Sequence, residues 1–405
     1  MSENLSKFFE AFVDSSSVFK NKRVLQSDYS PDSLQHRDEQ IGQIARIMAP
    51  SLRMEKPSNL FIYGKTGTGK TVTVKHTLTE LLGVAKSRGL PIVTIYVNCK
   101  LKRVADTEYR LIANLISELG SDVPSTGLPT DEVYKIFYSL VDKKKLLFIV
   151  VLDEIDHLVR KAGDDVLYNL TRINSELKNS IVSILGISND LMFVDNIDPR
   201  VKSSLGEEEL VFSPYDAKQL KDILFERSKI AFIDGSLQQG VVEKCAAIAA
   251  REHGDARRAI DLLRVAGELA EREMANTINI EHLDHALSTL ERDRILDIIK
   301  TQPVQFQTTL YSIFLALRNQ EKLDASIFTG SVYSIYQDVC KQTGLRALTL
   351  RRVSDIIAEL NTLGIINANV ISKGRGGRMR EIRLGIPESL HDKTLNIIKS
   401  TLELN

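Results

Sequence analysis

The chain has 405 residues, 43% hydrophobic and 26% charged, with 53 Lys and Arg against 53 Asp and Glu. That is the make-up of an ordinary globular protein, long enough for two to four domains at roughly 100–200 residues each. No apolar run approaches the ~18 residues of a membrane span, and Cys99, Cys245 and Cys340 lie too far apart for a disulfide framework or a zinc site. Met1 to Glu10 is polar, without a basic segment leading into an apolar one, so the expected location is cytoplasmic. The balance of charge is uneven. From Arg294 to Asn405 there are 15 Lys and Arg against 10 Asp and Glu, a distribution that permits a nucleic-acid partner.

In chain order, Leu5, Phe8, Phe9, Phe12 and Val13 recur at helical spacing and predict a short first helix. Residues 27–37 are rich in turn formers, and Asp38 to Met48 reads as a helix with Ile41, Ile44, Ala45 and Met48 on one face. The turn-rich stretch either closes over a bound base or packs as a strap. Next, Asn59 to Tyr63 reads as a buried strand running into Gly64-Lys65-Thr66-Gly67-Thr68-Gly69-Lys70-Thr71, which fits G-x-x-x-x-G-K-[ST], and Val72 to Leu78 as the helix leaving it. Glycines there allow the positive-φ geometry that aims successive N–H groups and a helix N-terminus at an anion. Lys70 then reaches the β- and γ-phosphates and the Thr71 hydroxyl joins a Mg²⁺.

Strands are predicted at Pro91 to Asn98, Leu146 to Leu152, Ile181 to Ile187 and Glu209 to Phe212, with a helix at Thr107 to Leu119. The alternation specifies a parallel sheet covered on both faces, with ligands bound at the carboxyl ends of its strands. Polar residues stand at those ends. Asp153 and Glu154 follow the third strand, where one carboxylate can hold the metal and the other polarise a water; a plain helix N-cap is the competing reading. Asn189 ends the next strand, within reach of a γ-phosphate or the water. Arg200 is either a surface residue or a finger for a nucleotide held by a neighbouring subunit. From Tyr215 to about Arg292 the chain is mainly helical. Ala259, Leu262, Leu263 and Ala266 make a buried stripe that leaves Arg257 free to face the cleft.

The last hundred residues read as helices at Arg294 to Ile299, Thr308 to Leu317, Ser331 to Cys340 and Thr349 to Leu363. A hairpin follows, Ile365 to Ile371 and Met379 to Leu384. Five basic residues lie from Lys373 to Arg383 against the single acid Glu381. Three of these helices followed by a basic hairpin form the layout of a winged helix, in which a helix enters the major groove and the wing reaches phosphates or the minor groove. Candidate DNA contacts are Thr349, Arg351, Arg352 and Ser354 on the helix, and Lys373, Arg375, Arg378 and Arg380 on the wing.

Together the segments SPDSLQHRDEQI, GKTGTGKT, VLDEIDHL, GISND, DPRVKSSLGEEELVFSPYDAKQLKDILFERS, GDARRAIDLLR and SKGRGGRMREIRL resemble the archaeal origin-recognition and helicase-loading initiator ATPases, in the initiator clade of the AAA+ superfamily. The resemblance implies an α/β fold: an AAA+ parallel-sheet core over residues 1–213, a helical lid over 214–292 and a winged-helix DNA-binding domain over 293–405. It implies Asp153 for Mg²⁺, Glu154 for water activation, Asn189 and Arg257 as sensors, Arg200 as the finger, and Tyr215 and Arg227 as further nucleotide contacts. Lys100, Lys102 and Arg103 are placed by it in an insertion that touches DNA. The implied activity is slow, regulatory, Mg²⁺-dependent ATP hydrolysis, with ATP and ADP switching a protein that binds duplex DNA at origins. Its implied partners are the replicative helicase and other initiator subunits, with no membrane. The alternative of another class is a nucleotide-gated winged-helix transcription regulator.

Overall fold

The computed structural model describes residues 17–26, 29–31, 33–100, 107–124, 127–193, 197–205, 208–318, 327–372 and 378–404. The predicted helix over Leu5 to Val13 therefore lies outside the described residues, as do Lys102, Arg103, Lys373 and Arg375. Spatial clustering divides the chain into two units, Met1–Leu283 and Asp284–Asn405.

The first unit is built on five parallel strands: β1 (Leu60–Gly64), β2 (Ile92–Asn98), β3 (Leu147–Asp153), β4 (Ile181–Ser188) and β5 (Glu208–Phe212), in the order β2-β3-β4-β1-β5. Every residue of β3 is buried, as expected of a strand covered on both faces. Alternation along it splits the core in two. Phe148, Val150 and Leu152 join Phe61 and the helices α3 (Glu108–Glu118) and α4 (Thr130–Lys144) on one side. Leu147, Ile149 and Val151 join Leu60, Ile62 and the helices α1 (Asp38–Met48) and α2 (Lys70–Ser87) on the other. Each such buried Leu, Ile or Phe is worth about 1.5–3 kcal/mol, so the carboxyl ends of β1, β3 and β4 are carried on a stiff plate.

After β3 come α5 (Ile155–Ala162) and α6 (Asp165–Thr171), and after β4 the helix α7 (Pro199–Leu205). Beyond β5 the chain is helical: α8 (Ala217–Ala231), α9 (Val241–Arg251) and α10 (Ala256–Arg272). Asp216 opens α8 with a reciprocal capping box to Gln219. Asp255 opens α10 by accepting from the Arg257 and Arg258 N–H groups. The predicted stripe of Ala259, Leu262, Leu263 and Ala266 is buried. Helix α11 (Ile280–Thr301) carries the chain into the second unit.

There, α12 (Val304–Arg318), α13 (Thr329–Thr343) and α14 (Leu350–Thr362) pack on an antiparallel sheet of β6 (Ile327–Phe328), β7 (Ile366–Ser372) and β8 (Arg378–Leu384), ordered β6-β8-β7. Val353, Ile356, Ile357 and Leu360 are the buried face of α14. A last helix, α15 (His391–Leu402), adds Leu395, Ile398 and Leu402 to this core. Among the described residues no helix is long and apolar enough to cross a membrane, and all three cysteines are buried free thiols.

Candidate nucleotide site

The Gly64–Thr71 loop leaves β1 at its carboxyl end. Gly64 is obligatory there because a Cβ would stand 2.5 Å from the Phe212 carbonyl oxygen on β5. Gly67 and Gly69 take φ of +71° and +88°, the left-handed region that suits glycine. Gly69 precedes the first turn of α2 without a side-chain cap, so the turn's N–H groups are open to an anion. Lys70 folds its ammonium back onto the Gly64 and Lys65 carbonyl oxygens at 2.7 and 2.8 Å. Its pKa is lowered to about 8; burial is the main cause and Arg257 adds to it, against the opposing effect of Asp153.

Asp153 is 4% exposed. Its Oδ2 accepts from Thr71 Oγ1 at 2.8 Å and from the Tyr96 hydroxyl at 2.5 Å, and its Oδ1 accepts from the Glu154 N–H at 2.9 Å. Burial, then the bond to Asp153, pushes the Tyr96 phenol well above its ordinary pKa, so it is a donor. Glu154 stands where a helix N-cap would, yet its side chain caps nothing and its φ is +55°. A left-handed non-glycine residue stores strain that clusters at functional sites. Its Oε2 is buried, has no hydrogen-bond partner among the described residues and lies 3.7 Å from Lys100 Nζ. A hydroxyl against a buried carboxylate, beside a second carboxylate oxygen without a donor, fits a hard cation shared with phosphate and water oxygens. Among the described residues no group of three or more His, Cys, Asp or Glu could hold a metal ion.

These groups open on one cavity of about 530 Å³, within the usual range for small-ligand sites. The structure brings to it Gly67, Thr68, Gly69, Lys70, Thr71, Asp153, Glu154, Asn189, Tyr215, Arg227 and Arg257. Tyr29, Leu34, Ile223, Ile230 and Ile260 supply apolar wall. Thus the turn-rich stretch before α1 lines the cavity, and it also straps: Arg37, 4% exposed, donates from Nε to the Thr68 carbonyl at 3.0 Å and from Nη2 to the Ser213 carbonyl at 2.8 Å. Its guanidinium lies 3.8 Å from the Tyr215 ring centroid. Arg227 donates to the Val24 carbonyl at 3.0 Å and lies over the Tyr29 ring at 4.5 Å.

The start of α10 rests on the phosphate loop. The Ala256 N–H donates to the Gly67 carbonyl at 3.1 Å, and a Cβ on Gly67 would fall 1.7 Å from Asp255 Oδ1. Ser188 Oγ donates to buried Asp156 at 3.2 Å, and Arg160 bridges Asp156 and Asp190 at 3.0 and 3.3 Å, holding the turn that carries Asn189.

Arg200 is not among the residues lining the cavity. Two-thirds exposed, it grips Asp198 through Nε and Nη2 at 3.1 and 2.8 Å, and these bonds hold the Asp198 carboxyl down to about 2. In the second unit, Thr349 caps α14 by accepting from the Arg352 N–H, and Arg351 and Arg352 are exposed. Arg380 donates to the Ser354 carbonyl at 2.5 Å, tying wing to helix. Arg378 opens β8, paired with Ser372.

Sequence reasoning missed Tyr96 and Arg37. The predicted strand over Pro91 to Asn98 already placed Tyr96 near a carboxyl end, which was the available signal; nothing local marked Arg37.

Three family models match: an AAA domain over 53–191, a Cdc6 AAA+ ATPase-type lid domain over 221–288 and a CDC6 C-terminal winged helix domain over 297–394. The ORC1-type DNA replication protein of Pyrococcus abyssi is 52% identical over 95% of this chain and 91% of its own length. ORC1-type DNA replication protein 1 of Methanosarcina mazei is 49% identical over 95% and 92%. The Aeropyrum pernix ORC1 protein, solved in complex with DNA, is 44% identical, with a TM-score of 0.80 over 95% of this chain and 97% of its own. A AAA+ sheet whose phosphate loop, acidic strand end and lid meet at one cavity, joined to a winged helix, is thus matched along nearly its whole length, and the chain belongs to the family of ORC1-type DNA replication proteins.

Proposed function

We propose that this protein is an ATP-dependent initiator that binds duplex DNA at replication origins and helps load the replicative helicase. The observation that carries the nucleotide half is the convergence of Lys70, Thr71, Asp153, Glu154, Asn189 and Arg257 on one cavity. Lys70 and the loop N–H groups would bind the β- and γ-phosphates, and Thr71 with Asp153 would hold Mg²⁺. The metal would neutralise phosphate charge as the bond to the leaving oxygen breaks. Glu154 orients and accepts a proton from the attacking water, Asn189 fixes the γ-phosphate, and Arg257 carries its presence into the lid. Tyr215 and Arg227 complete the nucleotide pocket. Arg200, outside its own cavity, is the finger offered to a neighbouring subunit's nucleotide, so hydrolysis is slow in the lone protein.

Residues 1–213, 214–292 and 293–405 are taken as core, lid and DNA-binding domain. The relative solved in complex with DNA supports the DNA half. Helix α14 would enter the major groove with Thr349, Arg351, Arg352 and Ser354, while Lys373, Arg375, Arg378 and Arg380 would reach the backbone from the wing. The protein would thus work in the cytoplasm, on the nucleoid.

A genome-wide footprint on the native chromosome, with and without ATP, tests the reading. A few sharp, ATP-dependent sites at replication starts are expected. Scattered sites upstream of genes would instead mark a nucleotide-gated regulator.

A further inference from the structure

We propose that Tyr96 is a positioning residue for the Asp153 carboxylate, and through it for the divalent cation that accompanies the nucleotide. The inference rests on the nucleotide-site reading above and assigns a role within it. Tyr96 sits on the edge strand β2, opposite Val151 and two pairs short of the Asn98–Asp153 pair that ends the two strands. From there its hydroxyl reaches across to Asp153 Oδ2 at 2.5 Å, the same oxygen that takes the Thr71 hydroxyl at 2.8 Å.

Three donors from three places therefore fix one carboxylate: Thr71 from α2, Tyr96 from β2, and the Glu154 N–H on Oδ1. The Thr71 hydroxyl has a single proton and, when it ligates a cation, its oxygen is drawn toward the metal. Tyr96 has no such competing duty, so its side chain keeps the plane of the carboxylate set whether or not a cation is bound. The ring is itself held, with the Lys75 ammonium 4.1 Å from its centroid. Packing alone would be met by phenylalanine; what tyrosine adds is a hydroxyl proton, donated to Asp153 Oδ2. Outer hydrogen-bond partners of metal-binding side chains typically account for roughly 10–100-fold in metal affinity.

The test is Tyr96→Phe in the full chain, read by Mn²⁺ titration of the ADP-bound protein in electron paramagnetic resonance and by binding of a fluorescent ATP analogue in EDTA and in Mg²⁺. About tenfold weaker Mn²⁺ binding is expected, with nucleotide affinity in EDTA unchanged. Unchanged Mn²⁺ affinity would overturn the role, as would an equal loss of nucleotide affinity with and without metal, which would make Tyr96, already a lining residue of the cavity, a direct nucleotide contact instead. A wild-type protein that binds neither nucleotide nor Mn²⁺ would instead sink the underlying site assignment.

Discussion

The nucleotide cavity and the arginine-bearing face of the second unit are built on opposite plans. In the cavity the central charged groups are tied by the protein itself: Lys70 to two carbonyls, Asp153 to three donors, Arg37 to the loop it supports. On α14 the cations stand in water. Arg352 and Glu359 are about half exposed at 3.5 Å, a pair worth roughly 0–1 kcal/mol and readily exchanged for a phosphate. On the proposed function, the difference follows from the ligands. A nucleotide has one shape and rewards a fixed cradle, whereas a polyanion binds largely by releasing counterions and needs hydrated charges at the right density.

Substitutions that separate chemistry, cradle and surface sharpen that contrast. Glu154→Gln should have the largest effect: steady-state ATP turnover falls roughly 10²–10⁴-fold while equilibrium binding of ATP stays near the wild-type value. If turnover survives, Glu154 does not act on the water. Lys70→Ala is expected to weaken ATP binding about 100-fold, since it removes a buried charged partner; calorimetry showing wild-type affinity would refute the cradle as drawn. Gly67→Ala combines an unfavourable φ with a Cβ on top of Asp255, at a cost of about 1–3 kcal/mol. Nucleotide affinity should drop by about a factor of ten on that scale, and a small-angle scattering or fluorescence readout should find the lid displaced from the loop. Smallest is Arg351→Ala with Arg352→Ala: DNA affinity falls several-fold and the salt slope flattens by about 0.9 for each phosphate no longer neutralised, with ATP binding untouched. An unaltered slope would take α14 off the DNA.

Much of the fold was legible because continuous apolar runs between turn signals read as buried strands, and the five parallel strands stand within a residue or so of the predicted places. The two-residue β6 was not, because Ile327 and Phe328 become a strand only by pairing with Ile382 and Glu381, which local sequence cannot announce. Likewise α15 and α4 went unread. Residues that line the cavity were legible where they stand in short patterns, Gly67 to Thr71 and Asp153 with Glu154. Tyr96 and Arg37 were not, since each matters through a partner fixed by sheet register or by a strap folding back onto the distant phosphate loop. The competing N-cap reading of Glu154 was half right: it holds the position without making the cap.

That left-handed backbone at Glu154 sets a cost on the residue that occupies it. Asparagine tolerates such φ angles better than glutamate does, and the shorter side chain would not bury a carboxylate oxygen that lacks a donor. Glu154→Asn should therefore raise the thermal midpoint by roughly 1–3 °C even as it silences hydrolysis, a result that differential scanning calorimetry can check. The same backbone angle thus sets stability against turnover at one position, and the proposed water-activating role accounts for a glutamate standing where asparagine would fit the backbone better.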